Sequence, residues 1–430
     1  MAFEISVLLF IMLFLFAAGI PIAFVLTAVG LVGILFQLGV PGLYQFAQQF
    51  WQGGMNFIYI CIPLFIFMAI ALEKGKAGGL IFEVAAKWLK RLPGGLLIST
   101  IGASTIFAAL SGTSIATAAT VGLVAYPEMM KRNYPKRMTL GAISVGGGLG
   151  MLIPPSIPLI VYGALTGESI GKLFIAGIIP GIVLASLFCL LIFFRAWRGD
   201  VAVAEQTSTW REKFVSIKNA FWGLLLIPIV IGGMYLGYFT PTEAGAAGMI
   251  LSLVVTMLIY RTLKVKDIPE ILGDTLRVSI MIFVLLLGAA LFSYVMALYG
   301  IPALATKWVL GLDMSPLGII VMLNIFFLIL GCFVDAISLM VISLPFAYPV
   351  ITALGFDGVW FGIVLMVNIN MAVETPPVGL NLYVLKGISK DITLADVIMG
   401  VIPFYSCELV GLMIVILFPW LSLWLPALMG

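Results

Sequence analysis

The sequence predicts an all-α polytopic membrane protein assembled from two related halves, and three observations carry that reading. Apolar residues make up 63% of the 430-residue chain and charged residues 10%, with a mean hydropathy of +1.22, a balance that excludes a soluble globular domain. Ala125-Tyr126-Pro127 recurs as Ala347-Tyr348-Pro349, and Pro154-Pro155 recurs as Pro376-Pro377, both 222 residues downstream. Gly177-Ile178-Ile179-Pro180 then pairs with Gly400-Val401-Ile402-Pro403, one residue out of step. Two separate landmarks at one offset mark a duplication, and duplicated membrane proteins of this kind commonly hold a transported substrate where the repeats meet.

Apolar runs at 5–36, 55–72, 173–194, 219–239, 278–299, 317–334 and 397–425 are each long enough to cross a hydrocarbon core as a helix. The first run follows Glu4 and spans 32 residues. It is too long for a signal-peptide core and is expected to stay in the mature protein. Roughly ten to twelve membrane-embedded segments are expected, surrounded by membrane lipid. Residues 1–91 read as N-terminal scaffold helices and a first arm helix, and 92–197 as the core of the first repeat. Residues 198–277 read as a cytoplasmic connector, scaffold helices and a second arm helix. Residues 278–430 read as a scaffold span and the core of the second repeat.

Within the first core, Lys87, Lys90 and Arg91 precede an apolar stretch that Lys131, Arg132, Lys136 and Arg137 follow. Both ends should be cytoplasmic by the positive-inside rule. The stretch 92–130 must therefore enter and return, with its midpoint at Ser111 inside Ser111-Gly112-Thr113-Ser114. This reads as a re-entrant hairpin, the alternative being two full spans with an ordinary turn outside. A broken helix is expected over 138–166. The second core repeats the plan, with a hairpin at 316–349 turning near Cys332-Phe333 and Val334-Asp335-Ala336, and a broken helix at 359–387. By the offset, Thr113 corresponds to Asp335. The loop Lys131–Arg137 holds four cations, whereas its counterpart, 353–359, holds none and carries Asp357. Homologous loops of opposite charge bias belong on opposite faces of the membrane, so the repeats should be inverted.

The connector Arg195–Lys218 is basic, and Arg261–Arg277 is a second basic stretch interleaved with Leu263, Val265, Ile268, Ile271, Leu272 and Leu276. The latter reads as an interfacial helix opening the second repeat, matching Phe82–Leu89 in the first. Basic residues gathered in loops are a topology signal, and no nucleic-acid partner is expected.

Non-helical backbone is tolerated at membrane depth only where protein buries it or where it lines a cavity. The helix breakers fall in four apolar settings: Ser111–Ser114, Gly148–Ser156, Val334–Ala336 and Glu374–Asn381. A diproline deletes two amide donors and frees upstream carbonyls. Those carbonyls and the nearby hydroxyls form a hard-oxygen environment suited to a small alkali cation, while helix N-termini favour an anionic substrate. Asp335 and Glu374 are the acids in the breaks, and no Lys or Arg lies between Lys307 and Lys386. An acid at that depth is used or paired, and a bound cation would supply the counter-charge. Glu408 lies near the last span, and its role is open. Asn368, Asn370 and Asn381 are the best polar candidates for substrate, with interhelical hydrogen bonding as the alternative.

Other chemistries find little support. Histidine is absent, which removes the commonest metal ligand and general base. Cys61, Cys189, Cys332 and Cys407 lack metal-ligand spacing and read as small buried hydrophobes. Gly146-Gly147-Gly148-Leu149-Gly150 lacks the Lys-Ser/Thr of a nucleotide-binding loop, so neither ATP hydrolysis nor membrane-embedded catalysis is expected.

Three segments carry a family resemblance: Gly146–Ser156 (GGGLGMLIPPS), Phe239–Ala247 (FTPTEAGAA) and Glu374–Asn381 (ETPPVGLN). Together they resemble the large membrane subunit of the tripartite ATP-independent periplasmic (TRAP) transporters over essentially the whole chain. The resemblance implies an elevator-type fold in the bacterial inner membrane and symport driven by Na⁺ at two sites. Ser111, Thr113, Ser114, Gly150 and Ile153 would form the first, and Asp335, Ser338, Met371, Glu374 and Thr375 the second. Substrate would lie near Gly112, Pro154, Ser156, Asn370, Pro376 and Asn381. It also implies two partners, a small membrane subunit, expected as a separate chain, and a periplasmic substrate-binding protein. The implied substrate is an organic acid, a C4-dicarboxylate or sialic acid. A carboxylate symporter independent of a binding protein is the alternative. The middle segment carries Glu243, whose role the residues do not explain.

Overall fold

In a computed structural model the described residues are 2–89, 91–201 and 208–429; Lys90 and part of the basic connector lie outside them. Every regular element among these residues is a helix. Helices α1 (Ala2–Ala17), α2 (Ile22–Leu38), α3 (Gly42–Gly54) and α4 (Cys61–Lys74) lead to a short helix α5 (Ala77–Leu89). The first repeat core continues with α6 (Gly95–Ser111), α7 (Ser114–Lys131), α8 (Lys136–Gly148), α9 (Ile157–Thr166) and α10 (Ile170–Trp197). Two further helices, α11 (Trp210–Tyr235) and α12 (Pro241–Leu253), precede the long α13 (Ile268–Leu298) and the short α14 (Ile301–Leu310). The second core holds α15 (Pro316–Gly331), α16 (Ala336–Ala353), α17 (Gly358–Ala372), α18 (Leu380–Ile388), α19 (Leu394–Leu417) and α20 (Trp420–Ala427). Among the described residues, seven helices are long and apolar enough to cross a membrane.

Three expectations change. The apolar run 5–36 is two helices, because Gly19 adopts φ 75° and Pro21 cannot donate to the preceding turn,. The final run likewise breaks at Phe418-Pro419, between α19 and α20. The stretch 261–277 is no separate arm: after a 3₁₀ turn at Val265–Asp267 it becomes the opening turns of the 31-residue α13. The helix that matches α5 at the 222-residue offset is α14. Amphipathic spacing could not separate an interfacial helix from the wet end of a long span.

Most of both cores shares one continuous apolar interior from α4 to α19, with a second cluster formed by α1, α2, α13 and part of α16. Small residues let the repeats touch. A Cβ on Gly141 of α8 would lie 2.0 Å from the Gly400 carbonyl oxygen of α19, and one on Gly400 would lie 2.1 Å from that of Arg137. Backbone approach of this kind is how apolar helices associate where lipid competes equally for their side chains.

Helix α19 also orients the two halves. In its first turn Asp396 pairs with Lys136 at 3.1 Å and Arg137 at 3.5 Å. In its last turn the Val415 carbonyl accepts from the Trp360 indole at 2.9 Å. Nineteen residues separate Asp396 from Val415, about 28 Å along a helix axis. The starts of α8 and α17 therefore sit at opposite ends of one membrane-length helix.

Two tyrosines at equivalent positions tie the halves crosswise. Tyr126 on α7 donates to the Asp391 carboxylate in the loop after α18. Tyr348 on α16 donates to Glu168, in the loop after α9, at 2.6 Å. Lys136 also reaches the Asp391 carbonyl at 2.5 Å.

Candidate functional site

Each helix–turn–helix tip rests on the diproline segment of its own repeat. In the first, α6 ends at Gly112, whose φ of 62° suits a residue without a Cβ,. A Cβ there would lie 2.4 Å from the Pro155 carbonyl oxygen. The Gly112 carbonyl accepts from Ile157 N–H at 3.1 Å, just past the diproline. Thr113 then caps α7, accepting from Ala116 N–H at 3.2 Å. The second repeat makes the same closure through Val378 N–H to the Cys332 carbonyl at 3.1 Å, and Asp335 caps α16. The broken helices match as well. α8 stops at Gly148 and α9 starts at Ile157, with Ser156 as cap; α17 stops at Ala372 and α18 starts at Leu380. Both diprolines contain a cis bond.

The residues expected at a first ion site come together in part. Ser111 Oγ lies 2.6 Å from Thr117 Oγ1 and 3.3 Å from the Thr113 carbonyl. A Cβ on Gly150 would approach that same carbonyl at 2.6 Å, so Gly150 and Thr113 are in contact. Ser156 Oγ donates to the Met151 carbonyl at 2.5 Å, occupying one oxygen that the prolines free. Pro154 and Pro155 are buried. Ile153 packs on Gly181 of α10. Ser114 departs from this group and donates to Asn381 Oδ1 of the second repeat at 2.5 Å.

At the second junction the set divides. Asp335 accepts from Ile337 and Ser338 N–H at 3.1 and 3.2 Å and from the Ser338 hydroxyl, all within its own tip. The Met371 carbonyl has Glu374 N–H, Thr375 Oγ1 and Tyr405 Oη within reach at 3.2, 2.7 and 3.1 Å, enough to engage its lone pairs fully. Thr375 and Tyr405 also lie against one another, so one of the two hydroxyls donates to the other and not to Met371,. Glu374 is 1% exposed and turns inward, its Oε1 3.5 Å from Asn381 Nδ2. Pro376 and Pro377 are exposed.

The asparagines take different places. Asn368 donates to the Asn324 carbonyl at 2.8 Å and to Asn324 Oδ1 at 3.1 Å, joining α17 to α15. Asn370 is buried and donates to Glu408 Oε1 at 2.9 Å. Asn381, fully buried, also reaches the Ser144 carbonyl at 3.4 Å. It is the hub that joins hairpin 1, α8 and the second break. Glu243 is explained as a capping box: its Oε2 accepts from Thr240 N–H and Oγ1, both at 2.8 Å,. Thr117, Tyr405, Ser144 and Glu408 all enter the site without having been expected there. Only Glu408 had a sequence signal, an acid inside an apolar helix.

The acceptors gathered at the two junctions are hydroxyl, carbonyl, carboxylate and amide oxygens. That set suits a hard cation.

Residues 9–421 match the family described as the tripartite ATP-independent periplasmic transporter DctM component. The chain is 35% identical over 384 residues to the C4-dicarboxylate TRAP transporter large permease of Pseudomonas aeruginosa, covering 89% of this chain and 90% of that one. It is 31% identical to the sialic acid permease of Vibrio cholerae and 32% to the ectoine/5-hydroxyectoine permease of Ruegeria pomeroyi, each over 96% of both chains. The YdaH transporter of Alcanivorax borkumensis shares its fold, with a TM-score of 0.64 at 13% identity, over 89% of this chain and 90% of that one. The chain belongs to the DctM family of TRAP transporter large permeases, multi-pass proteins of the bacterial inner membrane and not enzymes.

Proposed function

We propose that this permease takes up an organic acid by Na⁺ symport, in an elevator movement of its inverted-repeat core, receiving the solute from a periplasmic binding protein. The observation that supports this best is the doubled junction of hairpin tip and diproline, lined by oxygen donors. The first Na⁺ would rest among Ser111, Thr113 and Gly150. The second would rest beside Asp335 and Ser338, with the broken end of α17 completing it. Inversion of the repeats is supported by the starts of α8 and α17 lying at opposite ends of α19,. A small membrane subunit and a soluble binding protein are the other two components that a tripartite system requires.

The substrates named for relatives include a C4-dicarboxylate, sialic acid, ectoine and isethionate. Each bears an acidic oxyanion group, carboxylate or sulfonate, which is the common feature a helix N-terminus can hold. The N-termini of α9 and α18, at Ser156 and beside Pro376, are the places for it. Asn370 and Asn381 would act from behind, holding the two broken helices together.

Uptake into proteoliposomes containing both membrane subunits should require an inward Na⁺ gradient and the binding protein. Equal uptake in choline chloride would refute the coupling. Uptake unaffected by omitting the binding protein would favour a free-standing symporter.

A further inference from the structure

Glu408 sits in α19 with no exposure, and the symport reading assigns it nothing. Its Oε1 accepts from Asn370, but its Oε2 is buried without a partner. Glu374 Oε2 and Asn370 Oδ1 are buried and unpartnered in the same way. The three side chains are neighbours, and Asn370 Oδ1 faces Gly148 of α8, where a Cβ would lie 1.7 Å from it. Tyr405, one turn before Glu408 on the same helix, reaches Met371 and Thr375. Glu408 reaches Asn370, and Glu374 lies between those contacts in the chain. The two carboxylates are within electrostatic reach of one another. Among the described residues neither forms an ion pair with Lys or Arg.

The unmatched atoms are all acceptors, so what they lack is a donor or a positive charge. A water molecule would donate to two of them at most and leave two carboxylates uncompensated in an apolar interior, which is costly. A single proton leaves the same net charge as a monovalent cation but serves only one of the three oxygens; protonation of both carboxyls is the alternative, and it predicts no ion lost in Glu408→Gln. A monovalent metal cation offers positive charge and several oxygen contacts together.

We propose that Glu408 Oε2, Glu374 Oε2 and Asn370 Oδ1 bind a third monovalent cation, Na⁺, in the interior between α17 and α19. It lies behind the second hairpin junction and is distinct from the two tip sites. The corresponding positions in the first repeat are Leu152 and Ala185, so that half has no equivalent. The side chain of Glu374 serves this inner site, leaving Asp335 as the carboxylate of the tip site.

The proposal rests on the Na⁺ symport reading, and the experiment separates the two. ²²Na⁺ binding to the purified complex of both membrane subunits would be counted at saturation, in wild type, Glu408→Gln and Asp335→Asn. Glu408→Gln should lose one bound ion per permease, whereas Asp335→Asn should keep the count and weaken a different site about tenfold, so that the double variant shows both effects. Should Glu408→Gln fail to fold, Glu408→Asp keeps the charge but withdraws it by one methylene, and its Na⁺ half-saturation should rise about tenfold. An unchanged ion count in Glu408→Gln, or an unchanged half-saturation in folded Glu408→Asp, overturns the inner site and leaves the tip sites standing. A wild type that binds no Na⁺ overturns both.

Discussion

The two breaks share one backbone plan and opposite chemistry. In the first repeat the junction of hairpin and diproline is sealed: Pro154 and Pro155 are buried, the hairpin cap is the neutral Thr113, and the positions matching Glu374 and Glu408 are Leu152 and Ala185. In the second, Pro376 and Pro377 are exposed, the cap is Asp335, and two buried acids stand behind it. The scaffold of a break is thus set by glycine and proline, which are common to both. Its charge is set by side chains that diverged after duplication. On the proposed Na⁺ reading, the first half would hold its ion with neutral oxygens alone, and the second would add carboxylates at some cost in desolvation.

The largest effect that would sharpen this contrast is expected at Gly112. Gly112→Ala places a methyl against the Pro155 carbonyl and imposes a left-handed backbone costing about 1–2 kcal/mol before the clash is counted. Uptake should fall at least about tenfold, whereas Val334→Ala, at the matching position of the second tip, should keep most activity. Equal losses would show that the two tips are held alike. Asp335→Asn should come next, raising the Na⁺ concentration for half-maximal uptake about tenfold. Thr113→Ala should raise it by less, because only a neutral oxygen is lost. The reverse order would place the dominant ion contact in the first half. Pro376→Ala returns an amide donor to an exposed break and should lower the uptake rate a few-fold. Pro154→Ala, inside packed surroundings, should lower thermal stability as well, and equal stability in the two variants would contradict the sealed-versus-open distinction.

The smallest effect concerns the crosswise tyrosines. Tyr126→Phe should lower the melting temperature by on the order of one degree. The Ser389 and Tyr126 hydroxyls hold Asp391 below the usual carboxylate range. A carboxyl depressed by folding contributes stability above its ordinary value and loses it as pH falls through the native one. The gap between Tyr126→Phe and wild type should therefore close on acidification below pH ~4, and a gap that widens would remove Asp391 from the account.

Much of this was legible in the chain. The offset between Pro154-Pro155 and Pro376-Pro377 located both breaks, and Ser111–Ser114 and Val334–Ala336 located both tips, because helix breakers inside apolar runs have few other uses. What escaped reading were contacts made at a distance. Nothing local shows that Tyr405 and Glu408 face residues 370–375, or that Ser114 crosses to Asn381; α19 and α18 bring them there. The arm helix was misplaced because residues 261–277 carry an amphipathic pattern that a long span can also bear at its wet end. Glu243 was opaque for the opposite reason: its bond to Thr240 is purely local, a helix cap inside a segment singled out for its resemblance to a transporter family.

The exchange of Tyr126 with Asp391 and of Tyr348 with Glu168 has a bearing on ancestry. Each half offers a phenol that only the other can receive, and receives one in return. A solitary half would carry an unanswered hydroxyl and an unanswered acid, both met by a second copy turned head to tail. Two halves expressed as separate polypeptides should re-associate through the packed faces of Gly141 and Gly400, with the two tyrosines setting their register.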